Sequence, residues 1–254
     1  MTALLEVRHA TTGYGTIQVL WDVDVTIPEG VTVGLLGANG SGKSTLLRAI
    51  MGLLPLWSGE VVFDGETINH WDPSRRVRAS IAYMSEKGVL APLSVEDNLR
   101  IGGTGLAARE VKAAIARTWD DFPILRERRR SPAGSLSGGQ RKTLALAKAL
   151  VRQPRLLVMD EPSAGLSPIL VHEMVETLRR VRDQYFVTLL LAEQNSTVLD
   201  VAQRIVVLAG GRKGFDGPLD EFRSRTDVAA QFFGLSSPRD AAPDTPSDER
   251  PANG

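Results

Sequence analysis

Residues 31–53 read VTVGLLGANGSGKSTLLRAIMGL, and this stretch decides the fold. Val31 to Leu36 is an apolar run of strand length. Gly37-Ala38-Asn39-Gly40-Ser41-Gly42-Lys43-Ser44 then matches G-x-x-x-x-G-K-[ST]. From Lys43 to Leu53, the apolar residues Leu46, Leu47, Ile50 and Leu53 recur at helical spacing. Strand, glycine-rich turn and helix in that order are what a phosphate-cradling loop requires. The glycines let the backbone curl so that several N–H groups converge on phosphate oxygens. The helix adds its positive N-terminal end. Lys43 supplies a full charge for the β- and γ-phosphates, and the Ser44 hydroxyl can ligate Mg²⁺. Gly37, Asn39, Gly40, Ser41, Gly42, Lys43, Ser44 and Thr45 are therefore the expected nucleotide-binding residues.

A second stretch completes the site. Leu156-Leu157-Val158-Met159-Asp160-Glu161 is an apolar strand ending in two acids. A strand buried on both faces delivers such acids to the carboxyl edge of its sheet, beside the loop. Asp160 is placed to hold the Mg²⁺ shell. Glu161 is placed to accept a proton from an attacking water.

Outward from these two stretches, the pattern alternates. Val23, Val25 and Ile27 interleave with polar residues as in a half-buried strand, and Val61–Phe63 before Asp64-Gly65 reads as another. Residues 87–153 look mostly helical, with Ser94 and Asp97 as a capping pair and helical patterns over 106–119 and 138–151. Strands 155–159, 186–191 and 204–208 then alternate with helices 168–182 and 196–202. Such alternation implies a mostly parallel sheet with helices on both faces. Residues 236–254 hold four prolines and no Leu, Ile, Val or aromatic residue, the composition of a disordered tail.

The 254 residues carry 30 Lys plus Arg and 30 Asp plus Glu, so the formal net charge is zero. That argues against bulk attraction to nucleic acid or anionic membrane. The absence of cysteine removes disulfides, thiolate metal sites and thiol catalysis. No apolar run approaches the ~20 residues of a membrane span, and MTALLEVRHA lacks a signal-peptide layout. A soluble intracellular protein is expected.

Leu136-Ser137-Gly138-Gly139-Gln140 opens the helix at 138–151. A serine and two glycines at a helix N-terminus make a second anion-binding arrangement. These five residues match the signature motif of ATP-binding cassette proteins, and the chain resembles that family over nearly its whole length. The resemblance implies an α/β P-loop NTPase of ABC type: a RecA-like core, an N-terminal antiparallel β subdomain and a helical subdomain. One ATPase domain is expected over residues 3–235, with the helical insertion at about 88–150. The resemblance also implies that Ser137, Gly138, Gly139 and Gln140 face the nucleotide of a second cassette. It places Tyr14 against adenine, and Ala164 to Ser167 in the loop between cassettes, where Ser167 departs from the usual Asp.

Two further departures stand out. Glu86 occupies the place of the family's usual Q-loop glutamine, and Gln194 that of its switch histidine. A carboxylate at Glu86 can still ligate Mg²⁺. Gln194 can hydrogen-bond a γ-phosphate but carries no charge, so catalysis would lean on Glu161 and Lys43. These departures, with SVEDNL, EQN and DEPSAGLSPILV, resemble the LivF-type subunits of branched-chain amino acid importers, to which urea and amide importer subunits are related. That branch implies ATP and Mg²⁺ as ligands and a second ATPase subunit, a paralogue more than an identical chain. It also implies membrane permease subunits, an extracytoplasmic substrate-binding protein as an indirect partner, and no nucleic acid. The chain would sit in the cytoplasm, peripheral on the inner face of the cell membrane.

Arg126, Arg128, Arg129 and Arg130 read as a solvated run, and His9, His70 and His172 show no metal spacing. Residues 87–93 read equally as core or as a permease-docking segment. A soluble cassette acting on a nucleoprotein is the rival function. It is disfavoured by the single cassette and by the absence of a coiled-coil insertion between Lys43 and Leu136.

Overall fold

A computed structural model of the chain describes residues 2–85, 88–194 and 196–225. Its N-terminal part is an antiparallel sheet, ordered β2-β1-β4-β5. The strands are β1 (Ala3–Tyr14), β2 (Ile17–Pro28), β4 (Ser58–Phe63) and β5 (Glu66–Thr67). Asp64 and Gly65 join the last two with φ of 51° and 82°, both left-handed as a two-residue hairpin loop demands.

The second sheet contains β3 (Thr32–Leu36), β6 (Ile81–Met84), β7 (Leu156–Asp160), β8 (Thr188–Ala192), β9 (Arg204–Ala209) and β10 (Arg212–Pro218). Their order is β10-β9-β3-β8-β7-β6, and every pair is parallel except the β9–β10 hairpin. Every residue of β3, β7 and β8 is buried. Alternate side chains of such strands enter opposite layers. Leu156, Val158 and Leu190 join α1 (Lys43–Ile50) and the antiparallel sheet in one core. Leu157, Met159, Leu189 and Leu191 join α6 (Gly138–Leu150) and α7 (Pro168–Tyr185) in the other.

Between β6 and β7 the chain is helical, with α3 (Val95–Gly102), α4 (Ala108–Asp121) and α5 (Pro123–Glu127) preceding α6. The Ser94 hydroxyl caps α3 by accepting from the Asp97 N–H at 3.0 Å. Asp121, at the end of α4, accepts from Gln184 at 2.8 Å and from the Tyr185 hydroxyl, which pins this helical segment to α7. Among the described residues no helix is long and apolar enough to cross a membrane.

Three local expectations shift. The helix after the glycine-rich loop stops at Ile50, because Gly52 turns left-handed with φ 69°, and Leu53 is 54% exposed rather than core. Phe186 is not in a strand: it ends α7 in a left-handed conformation, so β8 begins at Thr188. Residues Ser196–Val201 form a 3₁₀-helix rather than an α-helix.

The buried cation Arg76, on α2 (Pro73–Arg78), closes the far end of α1. Its guanidinium donates to the carbonyls of Trp71 (3.2 Å), Ala49 (3.0 Å), Ile68 (2.8 Å) and Ile50. Burial pulls its pKa down to about 10, so the charge persists at neutral pH. A cation at a helix C-terminus also complements the helix dipole. Arg76→Met should leave these carbonyls unsatisfied and cost about 3 kcal/mol or more. A urea unfolding curve with a shifted midpoint and unchanged slope is the check.

Candidate functional site

Residues 37–42 turn from β3 into α1 along a path that only glycine follows. Gly37 has φ 149° and Gly42 has φ 104°. A Cβ on Gly37 would lie 2.3 Å from the Leu208 carbonyl oxygen, and one on Gly42 2.7 Å from Leu20. The turn between β9 and β10 braces the loop from outside, with the Gly211 N–H donating to the Ser41 carbonyl at 3.1 Å.

Gly42 is the N-cap of α1 and offers no side chain to cap it. The first-turn N–H groups have no intrahelical partner by construction and are left for an anion. The buried Ser41 hydroxyl likewise lacks a protein partner. Lys43 folds back over the loop, its Nζ donating to the carbonyls of Gly37 at 2.7 Å and Ala38 at 3.1 Å. Burial lowers its pKa from the usual lysine range, against the opposing charges of Glu161, Asp160 and Glu193. These donors fit a polyphosphate.

The Ser44 hydroxyl donates to Asp160 Oδ1 at 2.9 Å, and the Tyr83 hydroxyl donates to Asp160 Oδ2 at 3.2 Å. Burial, then the Asp160 charge, pushes the Tyr83 phenol well above the usual tyrosine range, so it stays a donor. A hydroxyl and a carboxylate side by side are the hard oxygen ligands that Mg²⁺ takes. Glu86, the third metal ligand expected from the sequence, lies outside the described residues.

Glu161 follows β7 in a left-handed conformation, φ 49°, which costs a non-glycine residue on the order of 1–2 kcal/mol. Its surroundings hold it there. Its N–H donates to the Ala192 carbonyl at 2.9 Å, and its carbonyl accepts from Lys142 Nζ at 3.0 Å. Gln194 donates its side-chain amide to the Glu161 carboxylate. Of the three expected catalytic residues, Lys43, Glu161 and Gln194, the last two are therefore in contact with each other.

Tyr14 stands at the tip of the β1–β2 hairpin, 42% exposed, and its hydroxyl accepts from Arg48 of α1 at 3.0 Å. With Val19, the loop 39–45 and Glu161 it lines one cleft. Ser137 to Gln140 do not line that cleft. They start α6, where the Ser137 hydroxyl accepts from the Gln140 N–H at 3.2 Å and the Gln140 side chain accepts from the Ser137 N–H at 3.1 Å. Gly139 packs close to Leu170 of α7, whereas a Cβ on Gly138 would meet open space.

A family profile described as "ABC transporter" matches residues 20–164. The chain belongs to the ABC transporter family. This cassette is 39% identical over 220 residues to the probable branched-chain amino acid transport ATP-binding protein LivF of Archaeoglobus fulgidus, spanning 86% of this chain and 93% of that protein. It is 39% identical over 211 residues to the high-affinity branched-chain amino acid transport ATP-binding protein BraG of Pseudomonas aeruginosa, spanning 82% and 90%. A solved ATP-binding subunit of an ABC transporter superposes with a TM-score of 0.75 at 29% identity, covering 89% of this chain and 94% of that one. A nucleotide-free ATP-binding cassette shares the fold with a TM-score of 0.81 at 24% identity, covering 93% and 100%. The ABC ATPase binds ATP and hydrolyses it to drive transport.

The sequence reading did not single out Tyr83, Lys142, Ser163 or Glu193 for the site. Tyr83 carried a usable signal, a polar tip inside an apolar strand neighbouring the acidic one. Lys142, six residues after Leu136, carried none.

Lys43→Ala removes the positive charge that folds over the phosphate loop, and nucleotide affinity should fall at least tenfold. Gly37→Ala should produce a similar loss by displacing the loop. Equilibrium binding of a fluorescent ATP analogue to each variant measures both.

Proposed function

We propose that this cassette powers an importer of branched-chain amino acids by hydrolysing MgATP between two cassettes. The convergence of Lys43, Asp160, Glu161 and Gln194 at one sheet edge carries the chemical part of this reading. A triphosphate on the loop would meet the N–H groups of the α1 N-terminus and the Lys43 ammonium. Tyr14, its hydroxyl held by Arg48, offers a ring face to adenine. Mg²⁺ on Ser44 and Asp160, with Glu86 as a further ligand, would neutralise charge on the phosphates. Water attacks the γ-phosphorus, the bond to the β-phosphate oxygen breaks, and the water's proton passes to Glu161. Gln194 spends one amide hydrogen on Glu161 and has a second for the γ-phosphate.

The cleft holds about 290 Å³, at the small end of the ~300–1,000 Å³ common for small-molecule sites. A second surface completing it accords with the separate placement of Ser137 to Gln140, which in this reading close over the nucleotide of the other cassette. That cassette is a paralogue more than an identical chain. The substrate rests on the two 39%-identical relatives.

Permease attachment would use the segment after Glu86. Lys148 donates to the Gly88 carbonyl at 2.6 Å, and buried Asn98 accepts from the Leu90 N–H at 2.8 Å and donates to its carbonyl at 3.0 Å. Val89 packs inward, while Leu90 and Leu93 face out. In this reading Val89 serves the core and the exposed Leu90 and Leu93 are available for docking. The cassette would lie peripheral on the inner membrane face, with a substrate-binding protein outside as its indirect partner.

Glu161→Gln should keep ATP affinity while cutting turnover roughly 10²–10⁴-fold; an unchanged rate would remove Glu161 from the reaction. Purification from detergent-solubilised membranes should recover two permeases and a second cassette. Recovery with ribosomes or DNA instead would overturn the transporter assignment.

A further inference from the structure

One carboxylate beside the cleft has no part in that scheme. Glu193, directly after β8, is 2% exposed. A charged group this deep needs partners for its lone pairs. Its Oε1 accepts from the Ser163 N–H at 2.8 Å, and its Oε2 accepts from the Ser163 hydroxyl at 2.9 Å and the Gln194 N–H at 3.2 Å. Its own N–H donates to the Leu35 carbonyl of β3 at 3.2 Å. Ser163 stands two residues after Glu161, and Gln194 is the next residue along. One carboxylate therefore joins the loop carrying Glu161 to the loop carrying the amide that Glu161 accepts from.

We propose that Glu193 is a positioning residue for ATP hydrolysis, bolting the loop after β7 to the loop after β8 so that the Gln194 amide holds the Glu161 carboxylate. This rests on Glu161 being the base. Glu161 is held to the β8 backbone by its own N–H, which fixes its main chain but not its carboxylate; that carboxylate is held by the Gln194 amide. The side chain needs an amide at a fixed place, and the Glu193 carboxylate sets where Gln194 starts.

Glu193→Gln tests this with little change of shape. In either amide orientation one backbone N–H, of Ser163 or of Gln194, faces an NH₂ group and loses its acceptor, while the Ser163 hydroxyl can adapt. In the full-length chain kcat should fall about tenfold or more, the scale of a slight misplacement of reacting groups. KM and the dissociation constant for a fluorescent ATP analogue should stay within about twofold, since Lys43 and the loop keep their own hydrogen bonds. The decisive arm is a double-mutant cycle. E193Q combined with Q194A should be no slower than Q194A alone, because both act through one amide. Glu193→Asp, charged but one methylene too short to span both loops, should reproduce the kcat loss and serves if E193Q does not fold. A folded E193Q or E193D at the wild-type rate, a loss carried by KM, or independent multiplying effects in the cycle would each overturn the proposal. Glu161→Gln runs in parallel. Turnover that survives it sinks the base assignment, whereas turnover lost there and kept in E193Q sinks only the role of Glu193.

Discussion

Three adjacent strands, β3, β8 and β7, are buried along their whole length, and the site follows from that constraint. A strand with an apolar layer on each side can present polar groups only at its ends. The carboxyl ends of these three strands run on into the glycine-rich loop, into Glu193 and Gln194, and out through Asp160 into Glu161. Parallel pairing with register Asp160 to Ala192 and Leu35 to Ala192 brings the three ends level. The chemistry is thus concentrated by the sheet rather than by sequence proximity, since Lys43, Glu161 and Gln194 come from three distant stretches.

The surrounding elements restrain that edge. Gly211 braces the loop, Arg76 secures the other end of the helix that carries Lys43, and Lys142 reaches from α6 to the carbonyl of Glu161. That last contact links the start of the signature helix to the acid strand. The helical segment is in turn tied to α7 through Asp121. The ion cluster of Arg155 with Glu29 and Asp64 joins the two sheets on the surface, where such pairs contribute little stability.

Much of this was legible in the sequence, because the legible parts are local. A glycine-rich turn between strand and helix, and an apolar strand ending in acids, announce themselves within a few residues. The mostly parallel sheet followed from alternation. What stayed hidden depends on long-range partners. Glu193 looks like any acid before a turn until its neighbour Ser163 is folded beside it. Arg76 reads as one of three arginines in a polar stretch, yet it alone turns inward. Exact ends were also hidden: left-handed Gly52 stops the first helix before Leu53, and α7 runs past the expected end to Tyr185, with Phe186 as its left-handed cap rather than the start of a strand. His9 shows no metal-type spacing, and folding places its ring beside Asp22 at 3.0 Å, a contact across the first hairpin that becomes an ion pair when the imidazole is protonated.

The Gln194–Glu161 contact has a consequence for the conditions under which the motor runs. All three histidines, His9, His70 and His172, are exposed and absent from the cleft. An imidazole at the switch would change its charge near neutrality, whereas a carboxamide does not titrate. The Gln194 end of this contact therefore carries no charge at any pH. The switch position thus works by hydrogen-bond geometry alone, with no charge of its own to gain or lose.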